Sequence, residues 1–181
     1  MTKEQHRELL AYARACIASR FDGIQPHLSQ ESEYREKKGI FVSLHERGEL
    51  RGCIGYVTGI KPLGDSIRDM AQAAAFRDSR FPALRAGELK GLEIEISVLS
   101  ELILISGPED VIIGRDGLLL EHPYGSGLLL PQVATDWNWD ARTFVGQVCR
   151  KAGLNKQAWK DKDAQLYRFT AEVFGESDEN G

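Results

Sequence analysis

The feature that most constrains the fold is a pair of short β-prone runs, Ile40 to His45 and Leu50 to Val57, separated only by Glu46-Arg47-Gly48-Glu49. Runs joined by so short a link must lie side by side and antiparallel, because a parallel return needs a crossover of about a dozen residues or more. With Arg47-Gly48 at the centre of the turn, residue 45 faces 50 and residue 42 faces 53, which puts Cys53 on one face with Val42 and Leu44 and puts His45 on the other. Leu92, Ile94, Ile96 and Val98 alternate with Glu93, Glu95 and Ser97, the period-2 pattern of a half-buried strand with its acidic face outward. Leu118 to Glu121 and Leu128 to Leu130 predict a second hairpin with a longer loop over His122 to Gly127, and Tyr167, Phe169, Ala171 and Val173 predict a last strand.

Helices fall between these strands. Thr2 and Gln5 form a capping box ahead of Leu9, Leu10, Ala13, Cys16 and Ile17 at helical spacing. Pro62 opens a second helix through Leu63, Ile67, Met70, Ala71 and Ala74 that must end before Phe81-Pro82. Asp140 caps a third, carrying Phe144, Val145, Val148, Cys149 and Ala152, with Gly153 at its end, and a helical turn is expected around Lys156 to Lys160. Hairpins mixed with helices, without a βαβ rhythm, predict an α+β fold: a mainly antiparallel sheet with flanking helices. A chain of 181 residues, 42% hydrophobic and without a linker, reads as one domain over 1–174 followed by a polar tail, 175–181, expected to be disordered.

Charge and cysteine content narrow the function classes. Twenty-three basic and 27 acidic residues give a net charge of −4, and no Lys or Arg run exceeds two, so sequence-independent nucleic-acid binding is not favoured. No stretch has the length or apolarity of a membrane span, and the first residues lack the apolar core of a signal peptide. Cys16, Cys53 and Cys149 are odd in number and far apart, which suits a reducing compartment; a soluble cytoplasmic protein is expected. No Cys-x-x-Cys, His-x-x-x-His or His-Glu-x-x-His spacing occurs, so no metal site is expected.

The segment Arg51-Gly52-Cys53-Ile54-Gly55-Tyr56 stands out for chemistry, because Gly52 and Gly55 weaken a strand and so mark a bulge or a place where something approaches its backbone closely. Strict alternation sets Arg51 and Cys53 on one face, where the cation can favour the thiolate, the nucleophilic form. A Cys53–His45 pair requires a bulge that shifts the alternation. The other reading is a small buried cysteine packed against Val42 and Leu44. His122 is a candidate base or an exposed loop histidine. Arg77, Arg80 and Arg85 could hold a carboxylate or phosphate, or Arg80 could simply bond Asp78 or a backbone carbonyl at the end of its helix. Gln132, after Pro131, is an amide near the core that needs partners, and Trp137 and Trp139 are core residues or a partner surface.

Five segments occur in order: Arg51-Gly52-Cys53-Ile54-Gly55, Ala75-Phe76-Arg77-Asp78-Ser79-Arg80-Phe81-Pro82, Glu95-Ile96-Ser97-Val98-Leu99, Gly127-Leu128-Leu129-Leu130-Pro131-Gln132-Val133-Ala134 and Cys149-Arg150-Lys151-Ala152-Gly153-Leu154. With them the chain resembles the AMME chromosomal-region protein family, of the type called AmmeMemoRadiSam system protein A, over nearly its whole length. At Ser79 the family more often has proline, while Arg80 keeps its place. The resemblance implies an α+β fold with a larger and a smaller lobe, and a genomic association with a Memo-like protein and a radical SAM protein; it implies no established reaction, and the cofactor is unknown. Residues and resemblance together suggest that Cys53 is catalytic and that Arg51, Gly52, Gly55, Arg80 and Gln132 bind a small anionic molecule in an inter-lobe cleft. The alternatives are a non-catalytic interaction subunit of the same system and, third, a nucleic-acid-associated regulator.

Overall fold

The structure, a computed structural model, describes residues 1–177. The chain divides into two compact units, a larger one formed by Met1–Leu99 with residues 172–177, and a smaller one, Ser100–Ala171. Both are α+β with antiparallel strands.

The larger unit starts with α1 (Lys3–Asp22), whose capping box has both halves: the Gln5 amide donates to Thr2 Oγ1 at 3.2 Å and the Thr2 amide to Gln5 Oε1 at 2.9 Å. β1 (Ile40–Glu46) and β2 (Glu49–Tyr56) follow, then α2 (Leu63–Phe76) and β3 (Leu92–Leu99), with β1 between β2 and β3. Arg47 and Gly48 both have positive φ, 53° and 81°, the two-residue turn whose twist matches a hairpin. Ile40, Val42 and Leu44 of β1 and Leu92, Ile94, Ile96 and Val98 of β3 are buried with the apolar stripes of α1 and α2 in one core. Burying one face of each element in this way is what fixes the strand register.

The smaller unit contains β4 (Ile103–Ile105), β5 (Asp116–His122), β6 (Gly125–Leu129), α3 (Pro131–Asp136) and α4 (Ala141–Lys151). β7 (Gln165–Gly175) pairs with both β4 and β5 here, and its end belongs to the larger unit. The β5–β6 hairpin is tighter than the sequence predicts. His122 pairs with Gly125, so the strands run into the expected loop and only Pro123 and Tyr124 turn. α3 and β4 were not expected either; Pro131 at the first position of α3 is the signal for it.

The first residues of the expected tail are bonded in the larger unit. Gly175 closes β7, and Glu176 accepts from Arg14 Nε at 2.7 Å and from the Ile94 amide at 2.9 Å. The rest of the expected disordered tail, 178–181, lies outside the described residues.

Candidate functional site

The register of the β1–β2 hairpin decides what surrounds Cys53. His45 faces Leu50 as expected, but a bulge then intervenes: Leu44 faces Gly52 and Ser43 faces Cys53. Arg51 is the extra residue. The expected 42–53 pairing is thus off by one, and one residue of slip turns a strand over. Cys53 shares its face with Ser43, not with Val42 and Leu44, and is half-buried, whereas Cys16 and Cys149 are fully buried. The Ser43 hydroxyl donates to Cys53 Sγ at 3.3 Å. His45, two residues beyond Ser43 on β1, alternates onto that same face, so the bulge that a Cys53–His45 pairing requires is present.

The outer edge of β2 is held by the segment after α2. The Asp78 carboxylate, buried, accepts the Cys53 amide at 2.9 Å, the Arg80 amide at 3.1 Å and the Arg80 guanidinium at 3.0 and 2.7 Å. Arg80 Nη2 also donates to the Cys53 carbonyl at 3.1 Å. An edge strand's free N–H and C=O at the thiol position are thereby both satisfied. The Arg80 bonds hold the Asp78 carboxyl well below the usual carboxylate range, outweighing burial, with the Cys53 and Arg80 amides adding to them. The Arg80 side chain stays 54% exposed. Arg77 instead ends α2, and the Arg85 amide donates to Glu88 at 2.7 Å, so the three arginines do not act as one group.

Arg51 donates through Nε to Glu88 at 2.9 Å, with its side chain 11% exposed. That bond lowers the Glu88 pKa against burial, helped by the Arg85 amide. Arg51 Nη1 is buried and meets no acceptor. The cation bonded at Cys53 is therefore Arg80, and Arg51 is held by Glu88.

The two glycines are accounted for by packing within the larger unit. A Cβ at Gly52 would fall inside the 3.0 Å that real Cβ contacts do not cross, against the Ala74 carbonyl oxygen of α2; one at Gly55 would meet Ile40 O and the Phe41 ring equally closely. The room expected there for a ligand is filled by the protein's own helix and ring. Gln132 belongs to the smaller unit, on the first turn of α3, where its Oε1 is buried without a donor.

His122 is not an exposed loop histidine. Its side chain is 6% exposed, Nδ1 accepts the Tyr124 amide at 3.2 Å and Nε2 lies 3.3 Å from Asp161. Trp139 packs against Phe144 in the smaller unit's core, and Trp137, 69% exposed, stacks on it with centroids 6.0 Å apart. Residues with a clear part in the site that the sequence does not single out are Ser43, the lone hydroxyl in Ile40 to Leu44, and Glu88. Among the described residues no cluster of His, Cys, Asp or Glu is arranged to hold a metal, and no helix is long and apolar enough to cross a membrane.

An α+β chain with the Arg51–Gly55 segment on an edge strand, clamped by Asp78 and Arg80, defines a class: the protein belongs to the AMMECR1 family, whose sequence pattern matches residues 10–174. A protein of Methanothermobacter thermautotrophicus is 38% identical over 97% of this chain and 96% of its own length. Protein TK0174 of Thermococcus kodakarensis is 44% identical over 84% of this chain and 80% of its own. The crystal structure of the uncharacterized protein PH0010 from Pyrococcus horikoshii superposes with a TM-score of 0.91 at 39% identity, covering 97% of this chain and 93% of that one.

Proposed function

We propose that the Cys53 segment of β2 is a site for a small anionic molecule, with Cys53 as its nucleophilic group and Arg51 and Arg80 as its cationic anchors. The observation that carries this reading is Arg51 Nη1, a buried guanidinium nitrogen with no acceptor. Leaving a buried donor unpaired costs about 1–3 kcal/mol, more for a charged group. An oxygen of a bound anion removes that cost. Three further features support the same reading. Cys53 is the half-buried thiol of the three, a hydroxyl donates to its sulfur, and its peptide is fixed at both ends by the Asp78–Arg80 clamp. His45, on the same face, is the candidate base.

The five ordered motifs support placing the chain with the AmmeMemoRadiSam system protein A type. On that reading the anion handled at Cys53 belongs to chemistry shared with a Memo-like protein and a radical SAM protein. A second reading, a non-catalytic interaction subunit of that system, is favoured by the exposed Trp137 stacked on Trp139.

Alkylation of the native protein separates the two. Burial pushes the Cys16 thiol up to about 11 and raises that of Cys149 as well. Both are expected to react only through opening of their cores, so Cys53 should label about tenfold faster or more. Peptide mapping after brief iodoacetamide treatment reads the order. Labelling of Cys16 or Cys149 ahead of Cys53, or an inert Cys53, overturns the catalytic reading and leaves the interaction subunit.

A further inference from the structure

We infer a second binding site, wholly within the smaller unit and independent of Cys53, for a small aromatic acid: one planar ring bearing one phosphate or carboxylate. A cavity of about 220 Å³ lies between α4 and the segment that follows it, lined by Arg142, Gly146 and Gln147 on the helix side and by Lys156, Gln157 and Trp159 on the other. That is below the roughly 300–1,000 Å³ of sites for drug-sized ligands, so it takes a ring and one acidic group rather than a dinucleotide.

Gly146 lines the cavity without a side chain of its own. Arg142 and Gly146 are four residues apart on α4 and so lie on one face. A Cβ at Gly146 would sit 3.6–3.8 Å from the Lys156 side-chain carbons, so any larger side chain there would fill the space beneath that stem. Trp159 is half-buried, packed against the smaller unit's core. The Lys160 ammonium lies 5.2 Å from its ring centroid, which places further positive charge at this wall.

Its charge is one-sided. No acidic side chain lines the cavity. Neither Arg142 nor Lys156 makes a hydrogen bond or ion pair among the described residues, and Asp140, two residues from Arg142, accepts the Thr143 amide at 2.7 Å. In a chain of net charge −4, residues 140–163 carry six cations, Arg142, Arg150, Lys151, Lys156, Lys160 and Lys162, against three acids, Asp140, Asp161 and Asp163. Cations beside an indole wall, with the Gln147 and Gln157 amides as further donors, suit an anionic group attached to a ring that can lie against Trp159. A pocket of this size, rather than an extended basic groove, favours the small acid over a nucleic-acid strand.

Titration of the full chain with phenyl phosphate tests this, read by ligand-observed NMR and by tryptophan fluorescence, with Trp159→Phe assigning the signal. Saturable one-site binding is expected. It should weaken about tenfold or more in Arg142→Gln/Lys156→Gln, as removal of charge-assisted bonds requires. Inorganic phosphate, which lacks the ring, and benzyl alcohol, which lacks the acid, should each bind about tenfold more weakly than phenyl phosphate. Gly146→Leu should abolish binding, and the surface double variant, whose thermal midpoint should match the parent, keeps the test valid if Gly146→Leu unfolds. Three results overturn the assignment: no saturation, equal binding of inorganic phosphate, or unchanged binding in the double variant. Tighter, steeply salt-dependent binding of a single-stranded oligonucleotide that displaces phenyl phosphate also overturns it, in favour of a nucleic-acid face.

Discussion

Gly52→Ala is expected to cost the larger unit about 3 kcal/mol, the upper range for forcing extra atoms into a packed core. The added Cβ would fall inside 3.0 Å of the Ala74 carbonyl oxygen, and that oxygen belongs to the backbone of α2 rather than to a flexible side-chain end. α2 must move off the sheet or β2 must bend, and either strips apolar contact from Ala71, Ala74 and Ile67. Urea unfolding should show a lower midpoint at nearly unchanged slope. Gly87→Ala is the control: a Cβ there meets nothing within 4 Å, and the change should stay within about 0.5 kcal/mol. Equal effects at the two glycines would mean that Gly52 is not held by α2.

Asp78→Ala should cost about 2–3 kcal/mol, the scale of hydrogen bonds to a charged group. It strips the acceptor from the Cys53 amide and from three Arg80 donor atoms. The loss stays below the 3–5 kcal/mol of a broken fully buried pair because the freed Arg80, 54% exposed, can be hydrated. The pH dependence has a definite sign. The folded state depresses the Asp78 pKa, chiefly through the Arg80 bonds, so as pH falls the unfolded chain takes up the proton first. The contribution is complete above the ordinary carboxylate pKa of about 4 and is lost as pH drops through that value toward the lower folded one. Asp78→Asn removes the titration, so the gap between its urea midpoint and that of the parent should be wide at neutral pH and narrow toward pH 3. A gap that holds constant across that range contradicts the clamp's charge.

The elements carried by strong local signals are legible in the sequence. The Thr2–Gln5 box, Pro62, Asp140 and the 92–99 alternation each fix a start or a face through one or two residues, and the structure has each element there. What the sequence hides depends on contacts between distant segments. The bulge at Arg51 is marked only by the neighbouring Gly52, which equally signals a close approach, yet it turns Cys53 from the Val42–Leu44 face to the Ser43 face and brings His45 to the thiol's side. Gly52 advertises a close approach without naming what approaches, and the answer, α2, comes from packing. Glu88 bonds Arg51 across 37 residues, a separation no periodicity reports. The glycines after His122 suggest a loop and leave a base or an exposed histidine open; β5 and β6 zip through that stretch and leave a two-residue turn. Gln132 sits on a helix of six residues, too short to show as a pattern.

The most direct test of an anion site at Cys53 compares two alkylating agents of nearly equal size, anionic iodoacetate and neutral iodoacetamide, at that one thiol. Their rate ratio at Cys53 in the native protein is measured against the ratio at the same residue in the urea-unfolded chain. Arg51 with its unpaired Nη1 and the half-exposed Arg80 should draw the anion, raising the native ratio about tenfold, the effect of roughly 1.4 kcal/mol of differential attraction. Arg51→Met should return it toward the unfolded value. A native ratio equal to or below that of the unfolded chain would contradict an anion-guiding site at Cys53.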